Sequence, residues 1–124
     1  MKSPEVLILS AARTPMGAFQ GELAPLSGPQ LGAAAIGAAI ARAGVDAGNI
    51  QEVLMGCVLP AGVGQAPARQ AARFAGMPDH VSATTVSKVC GSGMKAIMIA
   101  MDQLALGRAD MALHRAKKRG RSNI

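Results

Sequence analysis

Short apolar runs alternate along this chain with longer segments that carry helical signals. Three runs have the length and composition of β-strands, at residues 5–10, 51–58 and 82–89. The first, EVLILS, is continuously apolar between its two end residues, which is typical of a strand buried on both faces of a parallel sheet. The third is rich in Thr and Val, which favour strands. A shorter segment, ADMAL at 109–113, begins a fourth strand.

Each interval between successive strands predicts one helix. The first helix spans 29–43, with Pro29 in its first turn and Gly44 at its end. The second lies in GQAPARQAARFAG and ends at Gly76, and the third runs from 91 to 106. Apolar residues of the third helix recur with the 3.6-residue period and predict a stripe that faces the core. These residues are Met94, Ile97, Met98, Met101, Leu104 and Ala105.

The order of elements, βαβαβα(β), predicts an α/β fold with a parallel sheet and helices on its faces. A length of 124 residues fits one domain or part of one. Half of the residues are hydrophobic, which is too many for a disordered chain, but 25 of the residues are Ala and 15 are Gly. We therefore expect a core built by close approach of backbones.

Aromatic and cysteine counts exclude several functional classes. The chain has two Phe and no Trp or Tyr, which argues against nucleic-acid binding by base stacking. Two cysteines are too few for a disulfide-dense scaffold or a multi-cysteine zinc module, so no metal site is predicted. The longest apolar stretch, at 31–41, is far shorter than the roughly 20 residues that span a bilayer. These features predict a soluble, cytoplasmic protein without a membrane partner.

The net charge of +6 is concentrated at one end of the chain. Residues 1–112 carry 8 Lys and Arg against 7 Asp and Glu, whereas residues 113–124 carry five basic residues and no acidic one. We therefore divide the chain into a nearly neutral domain at 1–112 and a basic, disordered tail at 113–124. The domain itself offers no uniform basic surface to a polyanion.

Cys90 is the residue that the sequence most clearly marks as a candidate for catalytic chemistry. It lies in VSKVCGSGMKA, between the third strand and the third helix, and ligands of open α/β sheets bind beyond the carboxyl ends of strands. Unpaired N–H groups and the positive end of the helix dipole favour the thiolate, the nucleophilic form of cysteine. Gly91 and Gly93 leave room for a substrate carbonyl, and Lys88 and Lys95 add positive charge nearby. The alternative is an inert, buried cysteine that precedes a helix.

Other candidate residues are weaker. Cys57, at the end of an apolar strand, is interpreted as structural. His80 lies before the third strand and His114 in the basic tail, so neither is predicted to pair with Cys90 as a general base. The loop GVGQAPARQ at 62–70 lacks the ending of a phosphate-binding P-loop and is interpreted as a turn that leads into a helix, with phosphate binding as the alternative.

Four segments occur together in an order and spacing that resemble the N-terminal part of a thiolase of the acetyl-CoA acetyltransferase type. They are ARTPMGAFQGEL, GQAPARQAA, ATTVSKVCGSGMKAIMIA and GRADMA. The resemblance covers residues 3–112. It implies the N-terminal βαβαβαβ half of the thiolase fold, with a mixed, mostly parallel sheet, truncated with respect to the complete family fold. Ser87 stands where such enzymes usually have Asn.

The resemblance also implies an activity. Cys90 would attack the thioester of an acyl-CoA and hold the acyl group while CoA leaves, with its own N–H as one oxyanion donor. A second acetyl-CoA would then give acetoacetyl-CoA, or CoA would cleave it in the reverse direction. Acyl-CoA and CoA are implied as substrates, with no cofactor and no metal, and a dimer or tetramer is implied as the assembly.

The resemblance ends after Ala112, before the Asn-Glu-Ala motif, the Gly-His-Pro histidine and the second cysteine of the family. We therefore expect the 124-residue chain to be an inactive thiolase fragment when alone. The competing hypothesis is a non-catalytic truncated product or a small interaction protein that uses its basic tail.

Overall fold

A computed structural model describes residues 5–109 and the backbone of two short strands beyond them. A short 3-10 helix lies at Ala47–Asn49. The strands are β1 (Val6–Leu7), β2 (Glu52–Gly56), β3 (Ser82–Val86), β4 (Ala112–Leu113) and β5 (Lys117–Lys118), and the helices are α1 (Gly28–Ala43), α2 (Pro67–Phe74) and α3 (Ser92–Ala105). The predicted alternation is confirmed, with strands shorter than the apolar runs that indicated them.

β2 is the central strand of a parallel sheet with the order β3-β2-β4. It pairs in register with β3 from Glu52↔Ser82 to Gly56↔Val86, and its first two residues pair with the two residues of β4. Because β2 and β3 are parallel, their carboxyl ends meet at one edge, which we call the carboxyl edge. The predicted α/β fold with a small parallel sheet is confirmed.

The first apolar run does not form the doubly buried strand that its sequence predicts. β1 contains two residues and pairs antiparallel with β5, with Val6 opposite Lys118. Ile8, inside the predicted strand, is 74% exposed. The run lies outside the β3-β2-β4 sheet, and its pairing partner is β5, a segment more than 100 residues further along the chain. The prediction of a strand over 5–10 is therefore wrong in extent and burial.

Helices cover both faces of the sheet, as predicted. Val53 and Leu54 are successive residues of β2, and their side chains point to opposite faces. On the Val53 face, the core is completed by residues of α1, α2 and the neighbouring loops: Ile36, Ile50, Ala71, Ala72, Met77 and Val81. On the Leu54 face, the core contains α3 residues and Ala109: Ala96, Ala100, Leu104 and Ala109. α3 is thus the single helix of its layer among the described elements.

The ends of α1 follow from local sequence. Ser27 is the N-cap: its hydroxyl accepts from the N–H of Gln30, and the Gln30 side chain accepts from the N–H of Ser27. Pro29 lies in the first turn, and Gly44 ends the helix with φ of 62°. Glycine is favoured there because the left-handed conformation carries no Cβ penalty. Both predicted boundary residues are confirmed.

α3 buries a different face from the one that its apolar period predicts. Its buried residues are spaced by four positions, and they are Ser92, Ala96, Ala100 and Leu104. Met94 is 65% exposed, and Met98 and Met101 are also exposed. Alanine lets the helix backbone approach β2 closely, which turns the longer methionine side chains outward. Of the predicted stripe, Leu104 is buried, and the assignment of the three methionines to the core is wrong.

The exposed methionines on α3, together with Leu106, form a surface that we call the methionine face. We expect the isolated chain to self-associate through the methionine face, because the free energy falls when a second surface covers exposed apolar side chains. Analytical ultracentrifugation over a dilution series should show species larger than a monomer. Met98→Lys should shift the distribution toward monomer, whereas Arg73→Lys on α2 should leave it unchanged. A clean monomer at the highest concentration would contradict the prediction.

No helix in the described part of the chain is long and apolar enough to cross a membrane. The predicted disordered tail falls on residues 113–124, of which the structure describes the backbone of Leu113 and of β5 alone. The division at 112 therefore stays a prediction.

Candidate active site

The loop between β3 and α3 places Cys90 at the carboxyl edge of the sheet. β3 ends at Val86, α3 begins at Ser92, and Cys90 is an exposed free cysteine two residues before the helix. The alternative of a buried cysteine is therefore wrong. An exposed thiol at this edge lies where ligands of open α/β sheets bind.

Val89, directly before Cys90, has an unusual backbone conformation. Its φ is 45°, in the left-handed region that a β-branched residue rarely adopts, and its side chain is 67% exposed. Such a conformation costs on the order of 1–3 kcal/mol and persists when surrounding contacts enforce it. Here the N–H of Gly91 donates to the carbonyl oxygen of Lys88 at 2.9 Å, and the N–H of Ser92 donates to that of Val89 at 3.2 Å. The strand is thus turned sharply into the helix at Cys90.

The start of α3 presents backbone donors near Cys90. The N–H of Lys95 donates to the carbonyl oxygen of Gly91, but no described backbone carbonyl accepts from the N–H of Gly93 or Met94. First-turn N–H groups of a helix carry partial positive charge. Lys88 is exposed, Lys95 is half-buried, and neither forms an ion pair with a residue in the range 5–109. The first turn of α3, which begins two residues after Cys90, is therefore electropositive.

Gly56, which the sequence analysis did not single out, sets the distance between β2 and α3. A Cβ at Gly56 would lie 2.6 Å from the backbone N of Gly93 and 2.7 Å from the backbone C of Ser92. The helix start can therefore rest on the end of β2 only if residue 56 is glycine. Gly93, by contrast, has open space where a Cβ would lie, which agrees with the prediction that a substrate carbonyl can approach here.

Cys57 lies at the same edge of the sheet as Cys90. Its N–H donates to the carbonyl oxygen of Val86 at 2.9 Å, which ties the end of β2 to the end of β3. Cys57 is half-buried and makes no disulfide with Cys90. Its backbone therefore supports the edge from which the Cys90 loop starts.

His80 lies at the opposite edge. It precedes β3, and its Nε2 is 3.1 Å from the carbonyl oxygen of Gly48. The five residues of β3 alone separate it from the Cys90 loop by roughly 16 Å at about 3.3 Å per residue. His80 and Cys90 are not brought together, as predicted. His114 lies outside the described residues.

The loop before α2 is held by hydrogen bonds within the chain. The side-chain N–H of Gln70 donates to the carbonyl oxygens of Val63 and Gln65, at 2.9 and 2.7 Å. The N–H of Ala68, in the first turn of α2, donates to Thr85 Oγ1 on β3. These contacts support the interpretation of 62–70 as a turn that leads into a helix.

An apolar cavity reaches the start of α3. It has a volume of about 370 Å³ and lies between α1, β2 and the segment after β1, with Ala12, Gly32 and Met55 among its lining residues. Gly56 and Gly93 also line it, so the close contact that positions the helix start forms one wall of the cavity.

The fold and the loop together define an α/β protein with an exposed cysteine between a parallel strand and the helix that follows it. The sequence model for the thiolase N-terminal domain matches residues 6–115, and the chain belongs to the thiolase family. The resemblance seen in the four sequence segments is thereby confirmed.

Individual relatives agree with this assignment. Acetyl-CoA acetyltransferase 2 of Arabidopsis thaliana is 54% identical over 109 residues, which are 88% of this chain and 27% of the relative. Mitochondrial acetyl-CoA acetyltransferase B of Xenopus laevis is 53% identical over 103 residues, 83% of this chain and 24% of that protein. The solved structure of acetyl-CoA acetyltransferase from Syntrophomonas wolfei superposes with a TM-score of 0.85 at 39% identity, covering 90% of this chain and 28% of that one. The chain thus spans about a quarter of the length of these relatives.

Proposed function

We propose that this chain carries the acyl-accepting cysteine of an acyl-CoA acyltransferase, and that this cysteine is Cys90. The observation that carries the proposal is the exposure of Cys90 at the electropositive start of α3, within the region that matches the thiolase N-terminal domain. The relatives named above are called acetyl-CoA acetyltransferases, which supports acyl-CoA and CoA as the substrate classes.

The first step follows from the chemistry of a thiolate. The Cys90 Sγ would attack the carbonyl carbon of an acyl-CoA thioester, and the carbonyl oxygen would take up the negative charge. Backbone N–H groups at the start of α3, including that of Cys90, would donate to this oxyanion. Collapse of the adduct would break the bond to the CoA sulfur, releasing CoA as thiolate and leaving the acyl group on Cys90. No metal or cofactor is required by this step.

The second step would complete the transfer in a protein of the relatives' full length. A second acetyl-CoA, deprotonated at its methyl carbon, would attack the acyl group on Cys90 and give acetoacetyl-CoA, and thiolysis by CoA is the reverse reaction. Deprotonation needs a general base. His80, at the far edge of the sheet, is not placed to supply it. We infer that the 124-residue polypeptide carries out the first step but completes the second step slowly.

Assembly and location are part of the same proposal. The exposed methionine face supports a homo-oligomer as the working state. The cytoplasmic location stays a prediction, because one of the relatives is named as mitochondrial.

Incubation with acetyl-CoA tests the proposal directly. We expect one acetyl group on Cys90, located by peptide mass mapping and removed by hydroxylamine, because the proposed first step requires an accessible thiol and Cys90 is exposed. Cys90→Ala should abolish the adduct, and Cys57→Ala should retain it. If acetylation is absent from a folded sample, or if it occurs equally at Cys57, the acyl-accepting role of Cys90 is wrong and the non-catalytic hypothesis is favoured.

A further inference from the structure

Ser92 makes three of the hydrogen bonds that close the bend before α3. Its Oγ accepts from the N–H of Lys88 at 2.8 Å and donates to the carbonyl oxygen of Val89 at 2.7 Å. Its own N–H donates to the same Val89 oxygen at 3.2 Å. Both residues of the strand side of the bend are thereby tied to the first residue of the helix.

The burial of Ser92 makes these bonds hard to replace. Ser92 is 3% exposed and is the buried polar residue of the described core. Water therefore has no ready access to its hydroxyl, and a buried hydroxyl needs partners within the protein. Both of its available partners lie on the strained bend, so the hydroxyl is satisfied only while the bend keeps its shape.

The hydrogen bonds of the Ser92 hydroxyl oppose a relaxation of the backbone at Val89. A valine at φ of 45° relaxes to a negative φ when nothing holds it. The exposed Val89 side chain has little packing to resist this relaxation. A change of φ at Val89 would redirect the chain at Cys90, the next residue, and move its sulfur relative to the donors at the start of α3.

We propose that Ser92 is a positioning residue: its buried hydroxyl holds Val89 in the left-handed conformation and thereby places the Cys90 thiol at the N-terminus of α3. This inference rests on the proposed function in one respect, because the acyl-accepting role of Cys90 is the reason why its position matters. The effect on the thiol itself is independent of acyl transfer, because an electropositive helix start raises the reactivity of any thiol held there.

Alkylation by iodoacetamide tests this inference in the full 124-residue chain. The rate at Cys90 is measured relative to the rate at Cys57 in the same sample, across the pH range in which a cysteine thiol ionises. In Ser92→Ala we expect the relative rate of Cys90 to fall about tenfold. Loss of one or two hydrogen bonds shifts the equilibrium between the observed bend and a relaxed one by about this factor, and the rate follows the population of the observed bend. Ala100→Gly, a change at a buried residue of the same helix face, should lower the melting temperature but leave the relative rate and its pH profile unchanged.

A second substitution separates positioning from a general structural role. Glycine adopts a positive φ at no steric cost, so Val89→Gly combined with Ser92→Ala should restore most of the relative rate. The ¹³Cα and ¹³Cβ shifts of Val89 should report a left-handed residue in the unchanged chain and in Ser92→Thr, but not in Ser92→Ala. If Ser92→Ala fails to fold, the double variant decides: folding with restored Cys90 reactivity supports the inference.

The inference is overturned if folded Ser92→Ala keeps both the Val89 shifts and the relative alkylation rate. It is also overturned if Val89→Gly gives no rescue. Failure of the proposed function has a different signature, because the unchanged chain would then lack acetylation by acetyl-CoA while its alkylation pattern and Val89 shifts stay as described.

Discussion

Gly56→Ala should lower the melting temperature of this chain by about 10 to 20 °C, the shift expected when overpacking costs about 3 kcal/mol in a domain of this size. The added methyl group would meet the backbone N of Gly93 at 2.6 Å and the backbone C of Ser92 at 2.7 Å. A flexible side chain could move aside, but both of these atoms belong to the first turn of α3. The whole helix start must therefore shift, which separates it from Leu54 and the rest of its core layer.

A matched control uses another glycine of the same chain. Gly37 lies inside α1, and a Cβ there would meet no atom within 4 Å. Gly37→Ala should raise the melting temperature, because alanine in a helix interior is favoured over glycine by roughly 0.5–1 kcal/mol. Thermal unfolding followed by circular dichroism measures both variants. Equal melting temperatures for Gly56→Ala and the unchanged chain would show that β2 and α3 are not in close contact.

The second large effect concerns turnover. The 124-residue polypeptide should cleave acetoacetyl-CoA at a rate roughly 10²- to 10⁴-fold below that of a full-length acetyl-CoA acetyltransferase, the range that general acid–base catalysis contributes. In the proposed mechanism Cys90 supplies the nucleophile and the start of α3 supplies donors, but His80 contacts the carbonyl of Gly48 at the opposite edge of the sheet. Acylation needs only the first two groups, so we expect an acetyl adduct on Cys90 without sustained turnover.

A spectrophotometric thiolysis assay with CoA and acetoacetyl-CoA measures this rate. A full-length relative prepared in the same way provides the positive control, and Cys90→Ala reports contamination by host enzyme. Turnover near the rate of the relative, abolished by Cys90→Ala, would show that this chain supplies a base that the described residues do not reveal.

Local sequence was sufficient wherever the physical cause lies within a few residues along the chain. Pro29 and Gly44 act on their own backbone, so the predicted limits of α1 are close to the observed ones. The position of Cys90 between a strand and a helix is equally local, because the β-rich run, the glycines and the helical period adjoin it directly. The family resemblance was also predictable, since four ordered segments carry it.

Contacts between distant segments decided the remainder. α3 has two faces that are apolar enough to be buried, and its period does not choose between them. The close contact of Gly56 with Gly93 brings the start of α3 near to β2, and the small residues Ser92, Ala96 and Ala100 fit into this narrow space. The extent of β1 was mispredicted for a similar reason, because its pairing partner, β5, lies far away in sequence.

Ser92 is the residue at which the sequence and the structure differ most in what they indicate. In the sequence it is a small polar residue between two glycines, with nothing to mark it as important. Folding buries it at the start of α3 and gives its hydroxyl hydrogen-bond partners on the backbone of Lys88 and Val89. A strained backbone angle and the hydrogen bonds that hold it depend on where the strand and the helix meet in space. The sequence therefore sufficed to locate Cys90 between a strand and a helix, whereas the backbone geometry around it was decided by the packing of α3 on the sheet.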